Sequence, residues 1–145
     1  MKNSFIFLIL CSFVTAPALA KFTGVEGAIT KIQNAQVDNL IAMDENTVLT
    51  DADVKAQDKA FDAISHAVVV VLKEPSDQLA EEILRATAVL LKKDPTQYAA
   101  EIILPLVEKN KAAYINALKK LSAEDAKLIE KAVKAAAREK KSGNG

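Results

Sequence analysis

The chain has 145 residues with 19 basic and 19 acidic side chains, so it lacks the concentrated positive charge of a strong nucleic-acid or anionic-membrane binder. Its single cysteine excludes an intrachain disulfide, and an aromatic content of 5% without tryptophan leaves few rings to stack on sugars or bases. Residues 21–74 hold 5 basic and 9 acidic side chains, whereas residues 75–145 hold 13 and 10. We interpret this asymmetry as solvated surfaces of unequal composition.

The first 20 residues are typical of a secretory signal peptide. Lys2 supplies a positive start, residues 5–14 form an apolar run, and residues 18–20 read Ala-Leu-Ala, with small residues at the two positions that govern cleavage. We predict cleavage after Ala20 and export to a periplasm or the secreted space, which for a cysteine-free mature chain favours a bacterial source. An uncleaved membrane anchor is the alternative, but the run is shorter than the ~20 residues of a spanning helix. No membrane span is predicted in the mature chain.

Helical periodicity dominates the first half of the mature chain. A first helix is predicted from about Val25 until the polar segment 44–47. Thr50 followed by Asp53 resembles a capping box and predicts the start of a second helix that ends before Pro75. We interpret the four valines at 68–71 as a deeply buried part of this helix rather than as a strand, because the apolar stripe that precedes them has helical spacing.

The second half continues the pattern. A third helix is predicted up to Lys92 and Lys93, and Asp94 followed by Pro95 indicates a cap and the first position of the next helix. Pro105 lies inside that helix and predicts a kink or break one turn earlier. A weak point at residues 109–111 and a second capping-box-like start at Ser122 complete the series, and residues 142–145 are predicted to be a disordered tail.

These segments predict an all-α fold, with residues 21–141 forming one domain of about five to six amphipathic helices. Residues 72–84 resemble residues 91–103, since both contain a basic helix end, a proline and an amphipathic restart. The similarity is compatible with a helical repeat array, but such a likeness more often reflects shared helix-boundary chemistry. We favour a simple bundle.

Candidate catalytic and metal-binding residues are few. Asp62 and His66 are one helical turn apart and form half of a catalytic arrangement, but no nucleophile is placed to complete it. The acidic stretch 44–53 lacks the glycine and glutamate positions of a calcium-binding EF-hand loop. Glu81, Glu82 and Glu101 are candidates for a functional carboxylate pair, but Glu81 and Glu82 open a helix, where the helix dipole alone favours acids. No cofactor or metal is predicted.

The leading functional hypothesis is an exported, non-enzymatic interaction module for a protein or peptide partner, with no nucleic-acid partner. Its candidate face consists of Tyr98, Ile102, Pro105 and Tyr114, because tyrosines are favoured anchors of interfaces and a proline kink opens space between helices. The first alternative is a carrier of a small apolar ligand, held between residues 68–72 and 89–91. The second is an enzyme that uses Asp62 and His66.

Overall fold

The computed structural model describes residues 23–143, which form six α-helices and one 3₁₀ turn and contain no strand. The predicted all-α class is therefore confirmed for this part of the chain, whereas the predicted signal peptide and its cleavage site lie outside the described residues. No helix within residues 23–143 is both long enough and apolar enough to cross a membrane. In chain order the elements are α1 (Gly24–Ala35), the 3₁₀ turn (Val37–Asn39), α2 (Asp51–Lys73), α3 (Asp77–Lys93), α4 (Tyr98–Lys109), α5 (Lys111–Leu118) and α6 (Ala123–Ser142).

Helix α3 lies at the centre of the bundle. It packs against each of the other five helices, while α2 also contacts α1 and α4, and α4 also contacts α6. A solenoid restricts each repeat to contacts with its neighbours, so these contacts identify a bundle around one core. The largest side chains that α3 contributes to that core have at most 1% of their surface exposed: Leu79, Ile83, Leu84 and Leu90.

Capping side chains set several helix starts, as predicted. The Thr50 hydroxyl accepts a hydrogen bond from the backbone N–H of Asp53, and the Asp53 carboxylate accepts one from the backbone N–H of Thr50 at 2.8 Å. This completes the predicted capping box with aspartate in place of glutamate. Ser122 forms only half of the second box, because the carboxylate of Asp125 pairs with the Lys92 ammonium at 2.6 Å.

The first helix is shorter than predicted. It ends at Ala35, because Gln36 adopts a left-handed conformation with φ of 50° and the chain continues as the 3₁₀ turn. A non-glycine residue in this conformation is disfavoured locally, so contacts from elsewhere must stabilise it. Lys93 supplies two of them: its ammonium donates hydrogen bonds to the carbonyl oxygens of Asp38 and Leu40, both at 2.5 Å.

The predicted start of α4 at Pro95 is also wrong. Asp94 ends α3 and its carboxylate accepts hydrogen bonds from both the backbone and the hydroxyl of Thr96, which hold residues 94–97 in a turn. The helix begins three residues after Pro95, at Tyr98. Pro105 does not break α4, which continues to Lys109 because Ile103 before the proline and Leu106 after it are both buried in the core.

The four valines are helical, as predicted, but they are not all deeply buried. Val68 and Val71 are 3% and 0% exposed, whereas Val69 is 51% exposed. Successive residues of a helix point about 100° apart, so a run of four identical residues cannot face one neighbour. The residue types alone therefore predicted more burial for residues 68–71 than the structure shows.

Candidate functional site

The packing of α2 against α4 leaves an aromatic pair at the protein surface. The rings of Phe61 and Tyr98 lie 5.1 Å apart between centroids at an interplanar angle of 71°, an edge-to-face arrangement. Tyr98 is 48% exposed although it is the first residue of α4, and Phe61 is half-buried. The turn at residues 94–97 thus presents the Tyr98 ring to the side of α2.

A shallow cavity of about 290 Å³ surrounds this pair. We call its lining the aromatic surface, which consists of Asp58, Phe61, Asp62, Ser65, Tyr98 and Ile102. The three apolar members bridge the two helices, and the three polar members follow one another along α2 at helical spacing. The result is a small apolar patch with an acidic border on one side.

One of the two border carboxylates is already engaged. The Lys31 ammonium donates a hydrogen bond to Asp62 at 2.7 Å, and this bond, together with the positive charge of Lys31, lowers the pKa of the Asp62 carboxyl. Within residues 23–143, Asp58 takes part in neither an ion pair nor a side-chain hydrogen bond. The border therefore contributes one carboxylate that is paired within the protein and one that is not.

The structure divides the predicted interaction face. Tyr98 and Ile102 lie together on the aromatic surface, but Pro105 lines a different groove, between α4 and α6. Tyr114 is buried, with 7% of its surface exposed, and lies in the core with α5. Tyrosine is a favoured interface anchor, but the packing of α5 against α3 places this one in the core.

Burial of Tyr114 predicts a loss of stability at alkaline pH. Desolvation, with a smaller effect of the negative charge on Glu130, raises the pKa of Tyr114 to about 12 from its ordinary value of 10.0. The folded state then retains a proton that the unfolded state loses, so the free energy of unfolding should fall as the pH rises from 10 to 12. Tyr114→Phe should reduce this loss in denaturant titrations at several pH values. Tyr98→Phe, at a half-exposed ring, should leave most of it, and an equal effect of both variants would contradict the assignment.

The Asp62–His66 hypothesis lacks its required geometry. Asp62 accepts its hydrogen bond from Lys31, and His66 lies exposed on the surface of α2. No hydrogen bond joins the two side chains, although they lie one helical turn apart. The structure therefore does not bring together a base and the group that would orient it.

The residues of the carrier hypothesis pack in the core or against it, except Val69, which is exposed. Val68, Val71 and Leu90 are at most 3% exposed and belong to the same cluster of buried side chains.

The acidic stretch 44–53 satisfies its own polar groups: Asp44 accepts hydrogen bonds from Asn46 and Thr47. Within residues 23–143, no three histidine, cysteine or acidic side chains are grouped as metal ligands.

The sequence pattern did not identify Phe61 as a surface residue. A signal was present, because Asp58 and Ser65 lie at i−3 and i+4 from Phe61 and so share its side of the helix, and a third polar residue, Asp62, directly follows it. An apolar side chain surrounded by polar neighbours at these spacings is typical of the border between core and solvent.

Comparisons of the chain with protein-family models, with curated proteins and with solved structures found no match.

Proposed function

We propose that the protein is an exported, non-enzymatic interaction module that binds a protein or peptide partner through the aromatic surface. The observation that supports this most directly is the half exposure of Tyr98, whose ring packs on Phe61 while leaving its outer face in water. Tyrosine combines a large apolar area with a hydroxyl that can hydrogen-bond, which is why it is enriched among the residues that dominate binding energy.

The surroundings of Tyr98 suit a polypeptide better than a small enclosed ligand. The aromatic surface is open, and its apolar members come from two helices that the core holds in place. Preorganised aromatic side chains lose little conformational freedom on binding, so a small patch of this kind gives useful affinity. The carboxylate of Asp58, which has no partner within residues 23–143, favours a partner protein with a basic group beside its apolar contact.

Site-specific photocrosslinking tests this surface directly. Tyr98 is replaced by the photoreactive residue p-benzoylphenylalanine in the producing cells, and Ile115, which is 38% exposed on α5, is replaced in a matched control. Irradiation should give one discrete adduct from position 98 that is absent from position 115. The proposal fails if neither position gives an adduct, or if both give the same products.

The export part of the proposal rests on the sequence of residues 1–20 and needs its own measurement. Intact-mass spectrometry of the protein from the extracytoplasmic fraction should give the mass of a chain that begins at Lys21. Recovery of the full 145-residue mass from that fraction, or of the protein from the cytoplasm alone, would contradict processing after Ala20.

A further inference from the structure

A second concave surface lies between α4 and α6. It is an open groove of about 440 Å³, and we name it the α4–α6 groove. Three residues from one side of each helix line it: Glu101, Leu104 and Pro105 from α4, and Ala136, Glu139 and Lys140 from α6. The floor is apolar, because Leu104 and Ala136 are 6% and 5% exposed, and carboxylates border it on both helices.

The positive charge in this groove is already compensated. The ammonium of Lys140 donates hydrogen bonds to both carboxylate oxygens of Glu108, at 3.0 and 3.1 Å. In contrast, within residues 23–143 neither Glu101 nor Glu139 forms a side-chain hydrogen bond or an ion pair. Both also line an adjoining cavity of about 260 Å³, near the turn at residues 94–97. Two carboxylates therefore face the same open space without a partner from the described chain.

Helix stability does not account for the position of Glu139. It lies in the last turn of α6, where the negative end of the helix dipole disfavours a carboxylate and favours the lysines that follow it. Glu101, in the first turn of α4, suits the dipole, so only one of the two acids is explained locally. Both side chains are exposed, and together they give the groove a negative border on each helix that suits a positively charged group.

We propose that the α4–α6 groove binds an arginine side chain of a polypeptide partner. The aliphatic stem of arginine matches the floor of Leu104, Pro105 and Ala136, and its charged end reaches the border, as long basic side chains do on apolar surfaces. The planar guanidinium has five N–H donors and engages two carboxylates more readily than a compact ammonium. This inference rests on the proposed function, because it specifies a basic group of the partner, but it uses a different surface from Tyr98.

The groove favours an arginine within a polypeptide over a free cation. A free guanidinium ion would satisfy the carboxylates but would leave the apolar floor in contact with water. The adjoining cavity shares Glu101, Ala136 and Glu139 with the groove, so the open space continues along α6 and has room for the chain on either side of the arginine.

NMR titration of the ¹⁵N-labelled protein tests the inference. The probe is a capped pentapeptide of four alanines around a central arginine, and the matched probe carries the neutral isostere citrulline. The arginine peptide should shift the amide signals of Glu101, Ala136 and Glu139, and the citrulline peptide should shift them much less. Guanidinium ion alone should bind at least about five-fold more weakly than the arginine peptide, because it lacks the apolar contact.

Charge variants locate the site. Glu101→Gln and Glu139→Gln should each weaken the arginine peptide about three- to ten-fold, the range expected for a partly exposed charge-assisted contact. Glu130→Gln is the matched control. It makes the same charge change on an exposed residue of α6, but Glu130 does not line the groove and its charge acts on Tyr114 instead. Circular dichroism checks that each variant keeps its helices.

The inference fails if citrulline and arginine peptides shift the same signals equally, if Glu130→Gln weakens binding as much as Glu139→Gln, or if no signal moves at millimolar peptide. Equal affinity for guanidinium ion would identify a site for cations in general and would also overturn it. The photocrosslink from position 98 is independent of these outcomes. An adduct there without peptide binding would remove the groove inference alone, whereas peptide binding without an adduct would remove the function proposed for the aromatic surface.

Discussion

Ile83→Ala should lower the free energy of unfolding by about 3–4 kcal/mol, the largest stability effect we expect from a single substitution. Ile83 is fully buried on α3, and α3 packs against all five other helices. Truncation removes apolar contacts and leaves a cavity that the neighbouring helices cannot close without losing their own packing. Urea unfolding followed by circular dichroism measures the change in the free energy of unfolding. The comparison requires that this free energy depends on urea concentration with the same slope in both proteins.

Thr87→Val is the matched control, one turn further along the same helix. Thr87 is also fully buried, and its hydroxyl donates a hydrogen bond to the carbonyl oxygen of Ile83 at 2.8 Å. Valine preserves the shape, and the Ile83 carbonyl keeps its helical hydrogen bond, so the cost should stay below about 1 kcal/mol. A cost for Ile83→Ala no greater than that for Thr87→Val would show that α3 is not the centre of the core.

Tyr98→Ala should weaken binding of the partner captured at position 98 by about 30-fold or more, as expected for a central aromatic anchor. The stability cost should be only about 1 kcal/mol, since Tyr98 is half exposed and loses mainly its edge-to-face contact with Phe61. Isothermal titration calorimetry measures the dissociation constant, and urea unfolding measures the stability. The separation of the two effects distinguishes an interface residue from a core residue.

Two variants control this measurement. Ile115→Ala removes an apolar side chain of comparable exposure on α5, and it should leave the affinity unchanged. Tyr98→Phe keeps the ring and should retain most of the affinity unless the hydroxyl makes a hydrogen bond to the partner. A stability loss above about 3 kcal/mol for Tyr98→Ala would place Tyr98 in the core. If Ile115→Ala lowers the affinity as much as Tyr98→Ala does, the aromatic surface is not the specific binding site.

The helix starts that were predicted correctly depend on interactions within one turn. Thr50 and Asp53 satisfy each other's backbone donors, and Ser76 accepts from the backbone of Leu79 after the break at Pro75. Because these contacts join residues three apart, their pattern is visible in the sequence before any tertiary packing is known. The predicted weak point at residues 109–111 contains Asn110, whose side chain accepts a hydrogen bond from the backbone N–H of Ala113 at the boundary between α4 and α5.

The errors arose where distant parts of the chain decide the local conformation. Gln36 and Gln97 both have positive φ. Glycine is the residue that usually indicates this conformation in a sequence, and neither position has one. The turn after α1 is held by Lys93, more than 50 positions away, through its hydrogen bonds to Asp38 and Leu40. A prediction made only from neighbouring residues therefore placed the end of the first helix too late in the chain.

The sequence by itself determined the all-α class and most helix boundaries of the described chain, because apolar spacing and capping are local properties. Only the tertiary structure decided which sides of the helices meet. It buried Tyr114, left Tyr98 half exposed and placed Pro105 in the α4–α6 groove. The physical reason is that a helical stripe fixes the direction of a side chain about its own axis, whereas burial depends on whether another helix covers that direction.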